Sequence, residues 1–132
     1  MTPKQSRSLA RYMGDITREF GLAGWRIIVH DGTDADDHAA ETACVYGRRV
    51  AHINLASDFV SYPPEEQRAT ILHELTHIHF DQTLTLVNEV LPEAMGGPAY
   101  TAFIAGYRQA MEHAVDAIAQ AISDKYPLWE GQ

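Results

Sequence analysis

Cysteine is almost absent. Cys44 is the only one in 132 residues, so no internal disulfide is available, and a zinc site built on two or four thiolates is excluded by counting. Any zinc here has to be held by imidazole and carboxylate. Basic residues are also scarce, with ten Lys+Arg against 18 Asp+Glu, and the formal charge of -8 opposes long-range attraction to DNA, RNA or an anionic membrane surface. A polypeptide substrate or a basic partner suits such a chain better. No run of about 18 apolar residues occurs, and the first eight residues lack the apolar stretch of a signal peptide. The expectation is a cytoplasmic protein with no nucleic-acid or membrane partner and an oligomeric state that composition does not set. Internal repeats and low-complexity tracts are missing too, and the length suits one domain over residues 1–132.

Hydrophobic patterning is present throughout. Leu9, Tyr12, Met13, Ile16 and Phe20 fall at helical spacing and predict an N-terminal amphipathic helix stopped by Gly21 and Gly24. Residues 25–30 are rich in aromatic and β-branched side chains and read as a strand, followed by an acidic loop over 31–37. In that loop Asp34, Asp36 and Asp37 lack the ligand spacing and the closing Glu of a calcium site. Residues 42–46 and 50–55 flank Gly47-Arg48-Arg49, the pattern of an antiparallel hairpin with an exposed arginine tip. Pro63-Pro64-Glu65-Glu66 starts a helix that runs to about Phe80. Residues 81–98 read as a long connection with a short helical turn over 89–94, and 99–123 as a long helix packed on one side. The fold class is α+β: an N-terminal helix, a twisted sheet of three or slightly more strands, a middle helix and a long C-terminal helix. Cys44 reads as a small buried hydrophobe. The tail over 125–132 is expected to pack on the core through Leu128 and Trp129, the alternative being a segment folded across the cleft.

His73-Glu74-Leu75-Thr76-His77 carries the chemistry. Residues four apart lie about 40° apart around a helix and one turn along it, so both imidazoles reach one metal ion. Glu74, about 100° around from His73, reaches a water on that metal without ligating it, which makes it the candidate general base. Two solvated histidines on a polar face are the plain alternative. The helix start and the apolar stripe Ile71, Leu72, Leu75 and Ile78 argue against it by placing the motif inside a packed helix. A catalytic zinc needs a third protein ligand, and Glu112 on the last helix is the best candidate, with Asp116 one turn on to orient a ligating histidine. His113, Glu89, Glu93 and His79 are rivals, His79 lying on nearly the opposite face of its helix. Candidate donors to a developing oxyanion are Tyr100, Tyr107 and His113, with His52 and Tyr46 also available.

H-E-x-x-H over His73 to His77 followed by Glu112-x-x-x-Asp116 resembles the gluzincin metallopeptidases, above all the minimal, minigluzincin-like forms of prokaryotes and phages. The likeness covers the first strand through the last helix, with 34 residues between His77 and Glu112. It implies a small zincin-like domain, a Zn2+ cofactor on His73, His77 and Glu112, and hydrolysis of a peptide bond with Glu74 as base. It also implies a sheet whose edge strand runs along the cleft and binds an extended peptide, a place that chain order gives to residues 50–55. A weaker likeness to the SprT-like group rests on the tryptophan-containing strand, the hairpin and the motif helix; no histidine stands about fifteen residues on, where that group has its third ligand. From a different class, a zinc-binding regulatory or interaction domain of phage or toxin-antitoxin type, with little turnover, is the alternative. Glu74 favours the enzyme, since a structural site needs no base.

Overall fold

Thr2 opens α1 (Pro3–Glu19). Its hydroxyl accepts the Gln5 N–H at 3.2 Å while the Gln5 side chain accepts the Thr2 N–H at 2.9 Å, which satisfies two donors that a helix start leaves free. Gly21 ends the helix at φ +80°, and the Leu22 N–H donates back to the Thr17 carbonyl at 2.9 Å. Leu9, Met13 and Ile16 of the expected stripe are buried. The structure, a computed structural model, describes residues 1–33 and 39–131. The loop acids Asp34, Asp36 and Asp37 lie outside the described residues.

Three strands follow, β1 (Arg26–Thr33), β2 (Ala40–Cys44) and β3 (Val50–Ala56), in the sheet order β1-β3-β2. β3 is parallel to β1 and antiparallel to β2, so the expected hairpin pairing holds. The expected edge position of residues 50–55 does not. β3 is the central strand, and β2 forms the edge beside the middle helix. Ala51, Ile53 and Leu55 are fully buried and need a neighbour on each side, whereas β2 is short and exposes Glu41 and Ala43, as an edge strand tolerates.

Pairing register sorts the sheet into two faces. Ile27 and Val29 stand beside Ala51 and Ile53, and Ala40, Thr42 and Cys44 beside Leu55, Ile53 and Ala51, so all of these share the face that meets the helices. The other face carries Ile28, His30, Glu41, Ala43, His52 and Asn54, none of them buried.

Helix α2 (Pro64–Thr85) starts at the Pro-Glu-Glu signal and buries Ile71, Leu72, Leu75 and Ile78 against the sheet. It runs five residues past Phe80. The long connection expected over 81–98 is absent: α2 passes through a π-helical turn (Leu86–Val90) into α3 (Leu91–Met95), and Gly96 alone separates α3 from α4 (Gly97–Ile122). Residues 82–91 contain no Gly or Pro and bury Val87, so the backbone stays helical. Pro92 falls in the first turn of α3 and Pro98 in that of α4, where a missing N–H costs little.

Arg68, buried on α2, donates to the Ser123 hydroxyl at 3.1 Å, the Tyr126 carbonyl at 2.9 Å and the Asp124 carboxylate at 2.7 Å, which pins the end of α4 to the start of α2. The tail then returns to α1. Tyr12 donates to the Pro127 carbonyl at 2.7 Å, Trp129 donates to the Ser8 hydroxyl at 3.1 Å, and the Trp129 ring lies 6.3 Å from that of Phe59. The expected packing holds through Trp129; Leu128 is exposed instead. The architecture is α+β, and no described helix is long and apolar enough to cross a membrane.

Candidate metal centre

α4 runs opposite to α2: Asp124 meets Arg68 at one end, and further along Asp116 meets His73 and Glu112 meets His77. That antiparallel match carries two motifs, far apart in sequence, to one place. His73 and His77 bring their Nε2 atoms to 3.0 Å, with ring planes 71° apart. The Glu112 carboxylate spans them, Oε2 at 3.5 Å from His73 Nε2 and Oε1 at 3.5 Å from His77 Nε2.

Asp116 Oδ1 lies 2.8 Å from His73 Nδ1. A carboxylate only accepts, so in the neutral ring the proton sits on Nδ1 and Nε2 is left with its lone pair toward His77 and Glu112. Three ligand atoms, one each from His73, His77 and Glu112, lie within 4.8 Å of one another, and among the described residues no other group of three such side chains does so. Two imidazoles and one carboxylate are a donor set that fits zinc with a fourth position open. Burial lowers the affinity of His77 for a proton and so keeps its lone pair available, although Glu112 opposes the effect.

Glu74 sits beside this group and belongs to a different layer. It is 4% exposed, and Thr42 on β2 donates to its Oε2 at 2.7 Å. Burial pushes its carboxyl above the usual range; the Thr42 hydrogen bond and His73 pull it down, and Glu112 and Glu41 push it further up. The edge strand thus orients the candidate base, a contact that sequence reading missed because Thr42 carries no motif.

Two cavities flank His73 and Glu74 in the cleft between β2 and α4. The larger, about 480 Å³, is lined by Glu41, Leu84, Asn88, Arg108, Met111 and Glu112 among others. The smaller, about 270 Å³, is lined by small or polar side chains including Ala69, Thr70, Asp116 and Gln120. Of the expected oxyanion donors, Tyr100, Tyr107 and His113 line neither cavity. Tyr100 reaches toward Asn88 at 3.5 Å, Tyr107 stacks on Phe103 at 5.8 Å, and His113 is exposed on α4. His52 is on the far face of the sheet, and Tyr46 is exposed beyond the end of β2. Asn88 and Arg108, which line the larger cavity, are donors that sequence reading does not single out. Arg108 precedes Glu112 by one helical turn, a spacing visible in the sequence; Asn88 carries no such signal, because it lies in the stretch over 81–98 whose local pattern is that of a connection.

Rival ligands separate in the same way. Glu89 and Glu93 are exposed, and His79 points its Nε2 at the Phe20 carbonyl, 2.8 Å away, with its ring edge-on to Phe20. Cys44 packs against the core, and its thiol is pushed up to about 12 by burial and by the carboxylate of Asp81, to which it is hydrogen-bonded. Compared with known proteins, the chain matches no family model, no curated protein and no solved structure.

Proposed function

We propose that this protein is a zinc-dependent metallopeptidase of the gluzincin kind, acting in the cytoplasm on an extended polypeptide. The observation that carries the reading is the convergence of His73, His77 and Glu112 beside Glu74, a buried carboxylate outside the ligand group. A zinc ion in such a donor set supplies an acidified water and a polarised carbonyl, the chemistry that amide hydrolysis needs. Glu74 accepts the proton that the attacking water loses and returns it to the leaving amine, with Thr42 holding Oε2 and so fixing the carboxylate's orientation. Asp116 holds the His73 tautomer. A peptide laid along β2 completes the arrangement, because β2 is an edge strand and among the described residues no strand pairs with its outer side.

The test is Glu74→Gln. The zinc-loaded parent is expected to cleave members of a peptide library, and the variant to keep its zinc while losing about 10²- to 10⁴-fold in rate. His77→Ala should lose zinc and cleavage together. Cleavage that survives Glu74→Gln rejects Glu74 as the base. A parent that binds zinc yet cleaves no peptide or protein is a zinc-held regulatory or interaction domain instead.

A further inference from the structure

The open face of the sheet holds a second pair of histidines. Parallel pairing sets Ile28 beside His52 and His30 beside Asn54, which makes His30 and His52 diagonal neighbours one pleat apart. Their rings lie 15° from parallel with centroids 5.1 Å apart, and His30 Nε2 stands 2.8 Å from His52 Nδ1. A hydrogen bond of that length between two imidazoles needs one donor and one acceptor, so one ring nitrogen carries a proton and faces the other's lone pair, and with that proton gone both nitrogens could turn toward a common ion. The same convergence appears at His73 and His77, where the two Nε2 atoms are 3.0 Å apart.

We propose that His30 and His52 form a second, independent site for a divalent transition-metal ion, with zinc as a representative. Imidazole nitrogen is a good ligand for zinc, copper and nickel, and an ion that displaces the shared proton gains two such ligands held on neighbouring strands. At Zn–N distances of 2.0–2.1 Å and a tetrahedral angle, the nitrogens sit roughly 3.3 Å apart. The pair must therefore open by about half an ångström, which the exposed His30 ring accommodates by turning about its side-chain bonds. Among the described residues no helix packs on this face, where His30 is exposed and His52 half-buried, so a two-histidine ion there would complete its coordination with water. The next row of the same face sets Asn54 beside His30 and adds an acceptor, and the net charge of -8 attracts cations generally. Two protein ligands make this site weaker than the one at His73, His77 and Glu112, and its ion joins β1 to β3 across the strand pairing.

The experiment is a zinc titration of the whole chain without a polyhistidine tag, read by bound zinc per chain and by the ring-nitrogen resonances of the seven histidines. Two zinc ions per chain are expected, the second moving the His30 and His52 signals. His30→Gln and His52→Gln should each remove the second ion and leave the first, while His77→Ala should remove the first and leave the second. The proposal is overturned if His30→Gln and His52→Gln still take two, if the second ion moves other histidines, or if the parent takes one ion and the His30 and His52 signals stay still up to millimolar zinc. None of these results touches the first site, which stands or falls on His77→Ala. Because His30 is exposed, loss of folding does not obscure its variant.

Discussion

At the scale of single residues, the site is a set of hydrogen bonds that assign protons. Asp116 settles which nitrogen of His73 is free, so Asp116→Asn, whose amide accepts or donates, lets the ring turn or change tautomer. Zinc affinity or activity should fall by about 10- to 100-fold in that variant with the fold intact, as measured by competition with a chelator and by peptide cleavage. Glu74 bears on stability as well as chemistry. Its folded carboxyl is shifted above the ordinary value, chiefly by burial, so the folded state holds that proton more tightly than the unfolded state does. The stability this contributes is fully present below the ordinary carboxyl range and is lost as pH rises through the raised value. Gln at the same position cannot ionise. In chelator-treated protein, the melting temperature of Glu74→Gln should match the parent at acid pH and exceed it as pH rises. His77 works in the opposite direction, since its depressed value contributes stability above the ordinary imidazole range that is lost as pH falls, but it is common to both proteins and cancels in the difference. A melting difference that stays constant across pH means that Glu74 does not ionise differently in the folded chain.

At the scale of elements, the antiparallel match of α2 and α4 makes the site, and one residue permits the reversal. Gly96 has φ 76° and ψ 157°, a conformation open to glycine and strained by roughly 1–3 kcal/mol for other residues. A Cβ there meets nothing within 4 Å, so the whole cost of Gly96→Ala is in the backbone. Denaturant unfolding should show a loss in that range, whereas Gly106→Ala, in the middle of α4 with the same open surroundings, should gain up to about 1 kcal/mol from helix propensity. Equal effects at the two positions refute the assignment of Gly96 as the turning point. β2 matters at this scale for another reason: it borders the cleft, orients Glu74 through Thr42 and, among the described residues, pairs with a strand on one side only, so under the proposed function one five-residue strand would serve both base and substrate backbone.

At the scale of the whole molecule, the helices lie on one face of a three-stranded sheet, and the tail closes the core from the far end. Trp129 is 5% exposed and joins the cluster of Leu9, Met13, Phe59 and Leu72. Trp129→Ala should cost about 3–5 kcal/mol by urea unfolding, and Leu128→Ala, at 37% exposed, no more than about 0.5. If deleting residues after Pro127 speeds peptide cleavage while leaving stability unchanged, the tail shields the cleft and the packing role is wrong. The tail contacts lie on α1 and Phe59, away from the residues that line the two cavities, which is why stability is the expected readout.

Periodicity in the chain sufficed for α1, the hairpin pairing, α2 with His73, Glu74 and His77 in it, and α4 with Glu112 and Asp116 one turn apart. These rest on interactions between residues close in sequence, where the 3.6- and 2-residue repeats operate. Tertiary structure alone decided the rest. Strand order is a long-range choice between neighbours, so chain order put residues 50–55 at the edge when the buried side chains of β3 required the centre. The stretch over 81–95 stays helical, with 82–91 free of Gly and Pro and Val87 buried, but beside Pro92, Gly96, Gly97 and Pro98 the local pattern announced only a short turn over 89–94. Thr42 on Glu74, Asn88 and Arg108 in the cleft, and His30 against His52 are meetings between distant segments, and residue type without packing does not say which of many polar side chains will meet.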